Sequence, residues 1–338
     1  MRGILAILAF LAVGAAGILV PERANAAGPD HLDCAYPFWV GFAPLHLANE
    51  LGYFEEQGIT VNEIIDDDRS NALAAMARGD IDCYLRSVGE YQGRPRTPET
   101  QGIIIGTIDV SDGGDGIVAD GSIKSVCDLE GKTVASEPNL PSTLLLQMAL
   151  KKECGLTIDA VDLIDIASAD AIGVFSDTGV MAVGAYEPVL TETVNAHGSR
   201  GAHVLLSSKD YPNLITDTII ARTDNLREQP DKYVKLLRGI YRAIDYFNEN
   251  PDKAIPIMAR RFDLTPDEFR EVLTNIRYFT LEESVALMGT GGERGELHGI
   301  FDEVMQLNIE NGAADVRLMA DQQIDNTIIE QVWQTRSE

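Results

Sequence analysis

From residue 32 to residue 222, short apolar runs alternate with segments of helical period; after Pro230 only helical periods follow. This order limits the fold, because an apolar run bounded by turn residues and followed by an amphipathic helix is the unit of a parallel βαβ sheet. The spacing predicts strands at 32–36, 59–65, 81–85, 102–110 and 117–119, with helices at 43–51 and 71–78, the second capped by Ser70 and ended by Gly79. A second series follows, with strands at 131–136, 161–166, 180–186 and 203–208 and helices at 141–152, 169–175 and 188–197. The run at 216–222 reads as one more buried strand, and helices are expected at 231–250, 251–262, 265–276, 298–312 and 327–336. The expected architecture is α/β with two parallel-sheet lobes. Lobe I comprises 27–115 and 217–338 and lobe II 116–216. Two strand-like crossings near 115–120 and 210–218 bring the C-terminal helices back onto the first lobe. Such an arrangement leaves a cleft of strand ends and helix starts, where ligands of open α/β sheets bind.

The first residues, MRGILAILAFLAVGAAGILVPERANAAG, hold an apolar run closed by Ala24-Asn25-Ala26. That pattern is a cleavable secretory signal over 1–26, and it predicts a periplasmic protein. The chain has 53 acidic and 27 basic side chains, a formal charge of −26. A field of this sign repels phosphate backbones and anionic lipid, which excludes nucleic acid and membrane surfaces as partners. Cys34, Cys83, Cys127 and Cys154 are an even set in an exported chain, where disulfides persist. Neighbourhood pairs Cys34 with Cys83 and Cys127 with Cys154, although four cysteines allow three connectivities and buried free thiols are the plainer alternative. No CxxC or HxxxH spacing exists, so no metal or other cofactor is expected. A GxSxG elbow and a Walker A loop are absent too, and no catalytic residue is assigned; the chain is read as a binding protein rather than an enzyme.

Six segments in order carry a family resemblance: WVGFAPLHLANELGYFEEQGITV (39–61), LAAMARGDIDC (73–83), SVCDLEGKTVA (125–135), PSTLLLQMALKKECGL (141–156), GAYEPVLTE (184–192) and LREQPDKYVKLLRGIYRAIDYFNENPDKA (226–254). In these the chain resembles the substrate-binding proteins of ABC importers, in the group serving taurine, nitrate, aliphatic sulfonates and thiamine pyrimidine precursors. The resemblance implies a two-lobed, type II periplasmic binding protein. It would be monomeric, close by a hinge over a small solute and dock on a membrane permease; a ligand sensor of the same fold is the alternative. The acidic SDGGDG loop and Arg86 depart from the family's commoner pattern.

The resemblance places the corner YPFWVGFAPL (36–45) at the cleft, so that Trp39 faces the ligand and Gly41 lets the backbone approach; a core or staple role for Phe38 and Trp39 is the plainer reading. It also implies a ligand contact at Ser142 and Thr143, where a helix start with free N–H groups suits an anion, or is simply capped. From the residues themselves, Asp112 and Asp115 sit on a glycine loop at the first crossing. They either form an Asx turn or, with Asp109 and Glu187, face a cationic head, for which Trp39, Tyr84 and Tyr186 could supply aromatic faces. Arg86 is the candidate for gripping a carboxylate or sulfonate in bidentate fashion, unless it pairs internally with Asp82 or Glu90. Together these groups fit an amine-bearing or zwitterionic solute, taurine-like or guanidine-like. An alkyl sulfonate, nitrate or a pyrimidine precursor is the alternative.

Overall fold

The computed structural model describes residues 30–93, 96 and 100–336; the expected leader, 1–26, lies outside the described residues. The strands are β1 (His31–Tyr36), β2 (Thr60–Ile65), β3 (Cys83–Ser87), β4 (Ile103–Ser111), β5 (Asp115–Ala119), β6 (Thr133–Ala135), β7 (Asp162–Ile164), β8 (Val180–Tyr186), β9 (His203–Ser207), β10 (Thr216–Ala221) and β11 (Ile276–Tyr278). They form two sheets, a six-stranded one in the order β11-β4-β10-β3-β1-β2 and a five-stranded one in the order β7-β6-β8-β5-β9. The expected parallel-sheet lobes are present, with antiparallel strands added to each sheet. β1, β2 and β3 run parallel and so do β6, β7 and β8, but β10, β11 and β5 pair antiparallel with their neighbours. Strands β5 and β10 are the first after each change of sheet, and each enters against the local direction.

The chain passes between the sheets twice, at Asp112–Gly114 and at Ser208–Ile215. The passages are tied together, because Ser208 Oγ lies 2.9 Å from Ser111 Oγ and accepts from Gly113 N at 2.6 Å. Helices fill the faces, among them α1 (Ala43–Glu50), α2 (Arg69–Arg78), α3 (Val88–Gln92) and α4 (Pro141–Ala149). The 20-residue helix Pro230–Glu249 buries Tyr233, Leu236, Leu237, Ile240 and Ile244 in the core of the six-stranded sheet, so the C-terminal helices do return to the first unit. Phe54 packs into the gap left by Gly239, where a Cβ would stand 2.4 Å from its ring. None of the described helices is long and apolar enough to cross a membrane.

Two local readings change. Helix α2 begins at Arg69 with Asp68 as its cap, whose carboxylate accepts from Asn71 N at 3.0 Å, and Ser70 lies inside the first turn. The stretch after Pro230 is not purely helical, because β11 adds to the edge of β4 with Tyr278 opposite Asp109. Three residues are too few to display a period, and only the sheet edge makes them a strand. Cys34 is bonded to Cys83, joining β1 to β3, and Cys127 to Cys154, joining the turn after β5 to the end of the α4 segment.

Candidate functional site

A cavity of about 210 Å³ opens between the two sheets. Its walls come from the ends of β1, β2 and β3 and from β10 on one side, and from the starts of β5 and α4, the loop after β6 and the end of β8 on the other.

Trp39 owes its place to an extended residue between the end of β1 and the turn Val40–Phe42. Its ring lines the cavity, meets Tyr186 edge to face at 5.9 Å, and its indole N–H donates to Asp109 Oδ1 at 3.3 Å. Phe38 turns the other way and packs on Phe262, with ring centres 5.3 Å apart. Gly41 is required here, because a Cβ would stand 2.3 Å from both Asp109 Oδ2 and Trp39 Nε1.

The floor is acidic. Asp217 lines the cavity from β10, and Asp109 on β4 lies fully buried directly behind it. The antiparallel register pairs Thr216 with Val110, which sets Asp217 next to Asp109, and a bulge in β4 then brings Thr107 opposite Thr218. Both carboxyls are buried, and each is hydrogen-bonded to the other. Asp109 Oδ2 is buried and has no hydrogen-bond partner among the described residues. Burial pushes the Asp109 carboxyl up to about 7, against the hydrogen bonds that favour its charge. Asp217 is raised well above the carboxylate range by burial and by the neighbouring charge of Asp109. Asp115, at the start of β5, is likewise pushed up to about 7, by burial first and then by Glu90, Asp109 and Glu187, with Ser111 opposing.

Asp67 and Glu137 complete the acidic lining, and burial raises the Glu137 carboxyl. The lining includes one basic residue among those described, Arg86. Its Nη1 donates to Glu90 Oε1 at 2.8 Å, and its Nη2 donates to the carbonyls of Asp66 at 2.8 Å and Asp67 at 3.2 Å. Glu90 Oε2 caps α3 through Ser87 N and Oγ. Arg86 and Glu90 therefore cancel, and Asp67, Asp115, Glu137 and Asp217 face the cavity with no opposing side-chain cation among its described lining residues.

The remaining sequence candidates lie around the cavity. Tyr84 is buried behind Arg86, which sits over its ring at 5.4 Å, and burial pushes its hydroxyl up to about 12. Asp112 is exposed to solvent. Glu187 accepts from Thr191 N and Oγ1 and anchors the helix after β8. Ser142 is fully buried with its hydroxyl unpaired, and Thr143 is bonded to Ser136 and to the Glu137 carbonyl. At the start of α4 the N–H groups of Thr143 and Leu144 already donate to Leu140 O, so this helix start offers an anion less than an open one would. Among the described residues no group of three or more His, Cys, Asp or Glu side chains is arranged to hold a metal ion.

A model of the NMT1/THI5-like family matches residues 39–254, most of the chain. The chain belongs to the NMT1/THI5-like family. A Brucella abortus (strain 2308) relative, described as a binding protein, is 24% identical over 295 residues, 87% of this chain and 90% of its own. The NMT1/THI5-like chain is also similar to the aliphatic sulphonate binding protein SsuA from Escherichia coli, at a TM-score of 0.71 and 17% identity over 88% of this chain and 92% of that one. The nitrate-binding protein NrtA from Synechocystis PCC 6803 gives a TM-score of 0.70 and 15% identity over 93% and 90%. The desulfurization enzyme DSZB shares the architecture at a TM-score of 0.60 and 13% identity over 90% and 99%. The fold is therefore that of the periplasmic binding proteins, built of two mixed α/β units.

Sequence reading of this NMT1/THI5-like protein missed Asp67, Glu137 and Asp217, which the structure brings to the cavity with Trp39, Arg86, Asp115 and Tyr186. A signal existed for Asp217. A carboxylate in the middle of the apolar strand TDTIIA must be buried on one face, and a buried carboxylate needs a partner.

Proposed function

We propose that this chain is the solute-binding component of an ABC importer and that it captures a small organic cation, or an amine-bearing zwitterion, between its lobes. Lobe I (27–115 and 217–338) corresponds to the six-stranded sheet with its helices, and lobe II (116–216) to the five-stranded one. The family, the fold and the Brucella relative support a binding role. The single observation that carries the ligand class is the acidic excess of the cavity, with Arg86 already held by Glu90. Four further carboxylates around an enclosed space repel an anion and are costly to ionise alone, whereas a cation relieves both penalties. A guanidine-like head therefore fits better than nitrate or a simple sulfonate, the ligands named for two structural neighbours. The zwitterionic reading keeps one support, the buried unpaired hydroxyl of Ser142 beside the α4 start, where the anionic end of a taurine-like solute would lie.

A hinge at the two crossings would let the lobes close, and Trp39 and Tyr186 supply aromatic faces from opposite lobes. Capture rather than catalysis is favoured by the Brucella relative, described as a binding protein, and by the pairing of all four cysteines in disulfides. The leader pattern supports a periplasmic location and docking on a permease. A thermal-shift screen with guanidines, amines, taurine, alkyl sulfonates, nitrate and pyrimidines tests the ligand class. A solute at 1,000 times its dissociation constant adds about 4 kcal/mol of stability. Amines or guanidines should raise the midpoint and simple anions should not; a response confined to anions would reverse the assignment.

A further inference from the structure

Resting on the reading of the cavity as a cation site, we propose that its floor is a hydrogen-bonding seat for a head group that carries N–H donors, a primary ammonium or a guanidinium, with Asp217 as principal acceptor and Asp109 and Asp115 beside it. The alternative for an organic cation is a methylated ammonium held by aromatic faces alone. The two differ in what they leave unsatisfied.

Asp217 lines the cavity with 4% of its surface exposed, and no N–H or O–H of the described residues is bonded to its carboxylate apart from the carboxyl of Asp109. Asp109 Oδ2 is fully buried and otherwise without a donor. Every charged or titratable group that faces this pair is acidic or already engaged. Asp115 comes from β5 and Glu187 from the end of β8. Glu90 on α3 is spent on Arg86 and its own cap. Tyr278 on β11 donates to Val40 O, and the Trp39 indole bonds Asp109 Oδ1. A trimethylated ammonium would supply charge and no donors, leaving buried acceptors unmet, and an unmet acceptor bears the full cost of desolvation. An ammonium or guanidinium supplies both.

The backbone is shaped around this floor. The register of β10 on β4 sets Asp217 beside Asp109, and Gly41 and Gly114 leave room for Asp109 and Trp39, since a Cβ on Gly114 would stand 2.7 Å from the indole.

The test is calorimetric titration of the full chain at pH about 8, where the floor carboxyls can ionise, with methylguanidinium, ethanolammonium and choline as probes. Choline keeps the charge and carbon skeleton of ethanolammonium and replaces its N–H groups with methyls. The N–H cations should bind at least about tenfold tighter than choline, and Asp217→Asn should remove most of that preference in a protein that still melts cooperatively. If Asp217→Asn fails to fold, Asp115→Asn makes the same comparison. Choline binding as tightly as ethanolammonium, or a full N–H preference in a folded variant, overturns the seat while leaving cation capture standing. Failure of all three cations to bind at millimolar concentration overturns the cation site and the seat with it.

Discussion

Arg86 Nη1 lies 2.8 Å from Glu90 Oε1, and both side chains are buried, so the charge of the one basic residue among the described residues lining the cavity is paired within its own strand-to-helix turn. Breaking a buried pair leaves an uncompensated charge and costs about 3–5 kcal/mol. Arg86→Gln should therefore lower stability by roughly that amount, as read by denaturant unfolding, while affinity of the folded fraction for an amine is kept or improved. Lost affinity at full stability would instead make Arg86 a ligand contact.

Gly41→Ala inserts a Cβ where Asp109 Oδ2 and Trp39 Nε1 both stand 2.3 Å away. Overpacking of this kind costs about 1–3 kcal/mol and must displace one of the two groups. We expect a lower melting midpoint and an amine affinity reduced about tenfold. An unchanged affinity would mean that Trp39 and Asp109 are not held in place for the ligand.

Trp39 and Trp333 are the two tryptophans of the chain, and Trp333 lies against Arg336 on a C-terminal helix. A bound amine should change the intrinsic emission of the wild type, and Trp39→Phe should abolish the change. By contrast Asp112→Asn, at an exposed position outside the cavity, should leave affinity unaltered. A tenfold loss there would extend the site onto the first crossing.

The ligand-free protein should lose stability as pH rises from about 4 to about 7 through its floor carboxyls. In the folded chain Asp109 and Asp115 hold protons up to about 7, and Asp217 beyond the ordinary range, whereas unfolded carboxyls release theirs near 4. The folded state thus binds more protons in that window, and stability falls as they are given up. Asp120 acts in the opposite sense, since Ser122 and Arg200 hold its carboxyl down to about 2, so its contribution disappears only in stronger acid. Urea unfolding across this range should show a flatter profile for Asp217→Asn than for the wild type; parallel profiles would remove the floor from the account.

Much of the fold was readable because most strands coincide with short runs rich in apolar residues, and VMAVGAY coincides with β8 residue for residue. β11 escaped because IRY becomes a strand only beside β4, and the α2 cap was misplaced because Asp68 and Ser70 are both competent caps and only geometry selects between them. For the site, Trp39, Arg86, Asp115 and Tyr186 stand at or next to strand ends, where sequence order alone raises suspicion. The pairing of Asp109 with Asp217 depends on the register between strands more than a hundred residues apart in sequence, which no local pattern encodes. The engagement of Arg86 by Glu90 was one of two partners that sequence spacing allowed, and the capping role of Glu90 decides between them.

The most direct measurement is the number of protons released when methylguanidinium binds, obtained by calorimetry at pH about 6.5 in buffers of different ionisation enthalpy. A cation seated on Asp109, Asp115 and Asp217 must displace protons those carboxyls hold, so release of roughly one proton per ligand is expected, falling towards zero in Asp217→Asn. Binding with no release, or with proton uptake, would contradict the claim that the acidic floor receives the ligand's charge.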